Sequence, residues 1–166
     1  PFLFGRIAGI HSLSDLVAMG ADPHSVLVTA LVPFAADTIT EELLTQLLSG
    51  IATELQRHGA FLLGGHTAES PTVALSLACT GLASPHHLWR KNGLRPGDAL
   101  ILTKPLGTGT LFAAAMRLAA EARWIDAAIN SMLVSNQAAA HTARTLGATA
   151  ATDITGFGLL GHLLEM

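Results

Sequence analysis

The sequence is poor in cysteine and poor in charge. One cysteine, Cys79, closes no internal disulfide and builds no cysteine-rich zinc site. Charged residues make up 13% against 50% hydrophobic, so the chain has none of the character of a disordered, charge-rich segment and ample apolar material for a core. The nine Lys and Arg stand mostly apart and the formal net charge is -3, so no basic stripe can neutralise a run of phosphates and no nucleic-acid partner is expected. Long hydrophobic runs are missing too: stretches such as residues 113–116 fall far short of the roughly 20 residues that cross a bilayer, and no membrane partner is expected. No basic-then-apolar leader opens the chain, which makes the cytoplasm the default location. The eight histidines include no HExxH and no Cys/His cluster at zinc spacing.

What is present is a run of periodic segments. Ile7, Ile10, Leu13 and Val17 recur at three- and four-residue steps and predict an amphipathic helix over residues 5–19, with Gly20 as its left-handed stop. Residues 24–32, rich in Val and Leu, predict a strand ended by Pro33. Thr40 is the expected cap of a second helix, whose stripe of Leu43, Leu44, Leu47, Leu48, Ile51 and Leu55 runs to Arg57, His58 and Gly59. Residues 61–63 predict a short buried strand, Gly64-Gly65-His66-Thr67 a loop, and the alternation of Val73, Leu75, Leu77 and Cys79 another strand. Between residues 84 and 97, prolines, glycines and the basic cluster of Arg90, Lys91 and Arg95 predict a crossing between domains near Asn92. Beyond it, residues 99–103 are expected to form a strand and residues 110–122 and 131–146 two helices. The chain opens inside an apolar pattern and stops inside a helical one, so an internal piece of a longer protein is expected.

Several stretches carry candidate chemistry. Gly156-Phe157-Gly158-Leu159-Leu160-Gly161 has GxGxxG spacing, yet Thr152-Asp153-Ile154-Thr155 precede it where a dinucleotide site needs a buried strand. It reads better as a tight turn into a helix, with Asp153 at a strand end either holding a divalent cation or capping the helix. The helical wheel sets Asp15 opposite the apolar stripe, beside His11, as a solvated surface residue. Gly64 and Gly65 either let backbone amides approach a phosphate or simply connect strands. Lys104, Gly107 and Gly109 hint at a phosphate loop, but GxxxxGK[ST] is nowhere found and a structural turn is the better reading. Cys79, in an alternating apolar strand, reads as core.

Taken in order, Gly5-Arg6-Ile7-Ala8, Leu13-Ser14-Asp15-Leu16-Val17-Ala18-Met19-Gly20, Leu63-Gly64-Gly65-His66, Leu102-Thr103-Lys104-Pro105-Leu106-Gly107, and the block from Thr152 through Gly161 to His162 resemble the selenophosphate synthetases, or selenide, water dikinases. That family sits in the aminoimidazole ribonucleotide synthetase-like superfamily, and the likeness covers essentially the whole chain. It implies an α/β (α+β) fold of two domains: residues 1–92, an N-terminal ATP-binding domain whose sheet forms a homodimer, and residues 93–166, a C-terminal α/β domain cut short. It also implies ATP-dependent phosphorylation of selenide to selenophosphate with release of AMP and phosphate, assisted by Mg²⁺. By position, Asp15 and Asp153 resemble the magnesium ligands, and Asp15, Gly64, Gly65 and His66 the ATP-binding residues, the glycine segment serving a nucleotide held mainly by the neighbouring subunit. The family's reactive cysteine or selenocysteine and its lysine have no counterpart after Pro1, and Cys79 does not replace them, so the piece alone is expected to be inactive. Glu69, in Thr67-Ala68-Glu69-Ser70-Pro71, is closer to the purine-pathway relatives. The alternatives are therefore another enzyme of the superfamily or a non-catalytic nucleotide-binding or dimerisation module.

Overall fold

Every residue from Pro1 to Met166 is described by the structure, a computed structural model. Its first half contains helix α1 (Phe2–Ala18), strand β1 (Asp22–Val32), helix α2 (Asp37–Arg57), and strands β2 (Phe61–Glu69) and β3 (Ala74–Leu82). A short 3₁₀ turn at Lys91–Gly93 precedes four helices, α3 (Thr108–Met116), α4 (Ala122–Met132), α5 (Gln137–Thr145) and α6 (Gly158–Glu165).

The sheet has the order β2-β1-β3, with β1 parallel to β2 and antiparallel to β3. A parallel neighbour requires a crossover, which α2 supplies. Along β1, Val26, Val28, Ala30 and Val32 are buried toward the helices. Val26 and Val28 meet Leu13 of α1 and Ile51 and Leu55 of α2 in the core, and Leu75, Leu77 and Cys79 of β3 pack around it. The two helices cross at Gly5 and Gly50: a Cβ at Gly5 would strike the Leu47 carbonyl, and one at Gly50 the Phe2 carbonyl. No larger residue permits this approach without moving a backbone. Beneath the crossing, Glu54 is only 2% exposed and accepts from Arg6 Nε at 2.5 Å and from Arg57 Nη1 at 3.0 Å, so the buried carboxylate is matched by two guanidinium groups. The far face of the sheet has no such cover, and Leu27 of the central strand stands half exposed there.

Several expectations are corrected. Gly64-Gly65-His66-Thr67 is not a loop: β2 runs through it, paired with β1 from Leu27↔Gly64 to Ala30↔Thr67. The register slips between Val26 and Leu27, whose partners are Leu62 and Gly64, so Leu63 is the extra residue of a bulge and Gly64 takes φ +152 beside it. Gly65 is required by packing, because a Cβ there would overlap Val28 backbone. Helix α2 begins at Asp37, with Ala36 and not Thr40 at its N-cap. Residues 99–103 form no strand, since no neighbouring strand offers them a ladder, and Leu100, Ile101 and Leu102 remain exposed. Asp153 likewise sits on irregular backbone and not at a strand end. The expected helix over residues 131–146 is broken between α4 and α5, where Ser135 turns its Oγ back to accept the Gln137 amide at 3.1 Å.

The second half has hardly any core of its own; Ala128 and His162 are its buried residues. Polar links fasten it to the first half. His58 Nδ1 donates to the Glu54 carbonyl at 2.7 Å, which leaves Nε2 to accept the Ser135 hydroxyl at 2.6 Å. Trp89 Nε1 donates to the Ala148 carbonyl at 3.0 Å, and Arg144 Nη1 to the Gly20 carbonyl at 3.3 Å.

Candidate functional site

A cleft of about 520 Å³ opens where the C-terminal end of α1, the segment joining the two halves and the irregular stretch before α6 converge. Asp15, Met19, Trp89, Lys91, Thr152 and Asp153 are among its lining residues. Three local features build it. Gly20 ends α1 at φ +74, turning the chain away beneath Trp89. Trp89 is 8% exposed, its amide bonded to the Met19 carbonyl and its ring nitrogen to Ala148, so one side chain pins both walls. Gly93 lies so close to the Thr149 carbonyl that a Cβ would not fit, which lets the irregular segment before Asp153 run alongside the linker.

Asp15 and Asp153, remote in sequence, face one another across this cleft. The pKa of the Asp15 carboxyl is raised above its ordinary value, first by partial desolvation and then by the neighbouring charge of Asp153, with the charges of His11 and Lys91 opposing. Two carboxylates this close repel unless a proton or a cation sits between them. No third His, Cys, Asp or Glu completes a protein cage around them. That donor set suits a hard cation such as Mg²⁺, which takes one or two carboxylates and fills its remaining positions with water and phosphate oxygens. The wheel reading of Asp15 as a surface residue is half right: its side chain is accessible, but to the cleft.

Gly64, Gly65 and His66 are elsewhere. They are exposed on an edge strand, and none of them lines the cleft. Cys79 is half buried in β3, and its thiol is pushed up by burial and then by the charge of Asp15, as befits a packed thiol and not a nucleophile. Lys104 serves as a structural clamp: its ammonium donates to the Ser131 and Val134 carbonyls at 3.0 and 2.9 Å, closing the C-terminal end of α4, and burial lowers its pKa. Gly156-Phe157-Gly158 enters α6 without a strand before it, so the dinucleotide reading of GxGxxG has no support.

Sequence reasoning did not single out Lys91, which lines the cleft, or its partner Glu165. Lys91 Nζ donates to Glu165 Oε2 at 2.5 Å, and that bond, reinforced by the charges of Glu165, Asp153 and Asp15, raises the Lys91 pKa while the same bond lowers that of Glu165. The density of Arg90, Lys91 and Arg95 was a signal, but one that reads equally as a linker.

Residues 1–83 match the family model of the AIR synthase related protein, N-terminal domain, and residues 95–166 that of its C-terminal domain. The chain belongs to the AIR synthase related family. Among curated proteins of this family, it is 43% identical over 166 residues to a selenide, water dikinase of Porphyromonas gingivalis, covering all of this chain and 47% of that protein. It is 45% identical over 166 residues to a selenide, water dikinase of Desulfitobacterium hafniense (strain Y51), covering all of this chain and 48% of that one. The chain thus spans about half the length of these relatives. Among solved structures, AaThiL complexed with AMPPCP and TMP shares the fold with a TM-score of 0.70 at 18% identity, over 92% of this chain and 50% of that one. The family membership bears out the expected two-part α/β fold.

Proposed function

We propose that this chain contributes the metal and nucleotide cleft of a selenide, water dikinase, an enzyme that uses ATP to phosphorylate selenide and releases selenophosphate, AMP and phosphate. The observation that carries the reading is the meeting of Asp15 and Asp153 across one cleft. The identity to selenide, water dikinases along the full chain supports the same reaction, and the AMPPCP held by AaThiL supports a nucleotide as ligand of the fold. Residues 1–92 act as the nucleotide-binding and dimerisation domain, and residues 93–166 as the C-terminal domain.

The chemistry calls for this arrangement. A triphosphate and a hydroselenide nucleophile are both anionic, so they approach only where positive charge screens them. Asp15 and Asp153 would hold Mg²⁺, which would supply that screening as a Lewis acid. The two aspartates come from different halves of the chain, so the cleft is complete only when the halves are docked, which favours water exclusion during transfer. Lys91 adds a cation at the rim beside them. The half-exposed Leu27 and the exposed Leu63 and Leu82 on the sheet strands support burial of that sheet in a homodimer, in which Gly64, Gly65 and His66 would reach the partner's nucleotide.

The test is made in the whole protein. Asp15→Asn and Asp153→Asn each remove a charge with little change in volume, and each is expected to lower magnesium-dependent selenophosphate formation on the order of 100-fold, the scale of a lost metal contact. Phosphorus NMR of the products, with circular dichroism as a control for folding, reads the outcome. Wild-type magnesium dependence in both variants refutes the assignment.

A further inference from the structure

His162 of α6 is 4% exposed, and in the half that nearly lacks a core it is one of two buried side chains. Its Nε2 accepts the Thr155 amide at 3.0 Å and lies 3.2 Å from the Thr155 hydroxyl. An amide only donates, so the ring proton resides on Nδ1. Nδ1 is buried without a hydrogen-bond partner; the nearest acidic atom, Glu165 Oε2, is 3.6 Å away. Phe157 packs edge-on against the ring with centroids 5.8 Å apart, and Gly161 leaves room for the Phe157 side chain. Glu165 in turn bonds Lys91 in the cleft wall. A chain of contacts therefore leads from Lys91 through Glu165 and His162 to Thr155, two residues from Asp153.

Residues 149–155 have no ladder or helix to fix them. Something else has to hold the Asp153 carboxylate toward Asp15 against their mutual repulsion. We propose that His162 is a positioning residue for Asp153, its Nε2 holding the segment through the Thr155 amide so that the carboxylate stays aimed at Asp15. The assignment deepens the metal reading above and rests on it. It makes the GxGxxG turn a device for bringing His162 back over the segment that precedes it, and not a phosphate cradle.

The whole protein is compared with His162→Leu, which removes the acceptor, His162→Asn, whose amide stops short of Thr155, and His162→Gln, whose longer amide reaches it. Two readouts are used: hydrogen–deuterium exchange of the peptide spanning residues 152–157, and binding of Mn²⁺ as probe metal, followed by the paramagnetic resonance of the free ion. His162→Leu and His162→Asn are expected to speed exchange and to weaken Mn²⁺ binding by about 10-fold, the usual scale for loss of an outer-shell partner, with His162→Gln restoring both. Should the Leu variant fail to fold, the Asn and Gln pair carries the comparison. Unchanged exchange in His162→Asn, or a Gln variant as impaired as Asn, overturns the role of His162. Mn²⁺ binding indifferent to Asp15→Asn and Asp153→Asn overturns the metal reading instead, so the two failures are distinct.

Discussion

The two halves of this chain are held together by different physics. In the first, Leu13, Val26, Val28, Ile51 and Leu55 form one apolar core under a sheet, and even the buried Glu54 is matched by two arginines. In the second, four short helices bury Ala128 and His162 and little else, and the links to the first half include polar bonds of His58, Trp89, Lys91 and Arg144. The candidate site draws on both: Asp15 stands on α1, which packs on the core, and Asp153 stands on irregular backbone.

The comparison is broken first by core truncation. Ile51→Ala, at a fully buried position, is expected to cost about 2–5 kcal/mol, whereas Leu164→Ala, 89% exposed on α6, should stay within about 0.5 kcal/mol. Urea unfolding of the whole protein followed by circular dichroism measures both; equal losses would mean that the second half has a core of its own.

A smaller effect is expected from Ser135→Ala. It takes the hydroxyl from His58 and the cap from Gln137, costing about 1 kcal/mol. Exchange of the amides in α5 should quicken while those of β1 stay protected. Equal quickening in both would show the halves to unfold as one unit.

The smallest effect concerns Asp98, whose pKa is lowered first by the Thr149 hydroxyl and then by the Arg95 amide. A depressed carboxylate stabilises the fold above its ordinary range and loses that contribution as pH falls through the folded value, so the window lies below about pH 4. Asp98→Asn should flatten the acid limb of the exchange profile for residues 95–98 and 149–153 and leave the first half unchanged.

Much of the first half was legible because its signals are local. The stripe from Leu43 to Leu55 needs only the helical repeat to be read, and β1 only its Val-rich composition. Gly64-Gly65 misled as to local structure because a bulge and a loop ask for the same residue; only the pairing with β1 shows that a strand is built. Residues 99–103 have strand composition without a strand, since a ladder is a property of two segments and the second is not beside them.

The sequence by itself determined α1, α2, the central strand and the family resemblance that singled out Asp15 and Asp153. Tertiary structure alone decided that those two aspartates line one cleft, that Trp89 and Gly93 bring its walls together, and that His162 folds back onto Thr155. The physical reason is range. Periodicity is set by neighbours three or four residues away, whereas the cleft depends on how two separately folded walls dock, and no short window of sequence contains both.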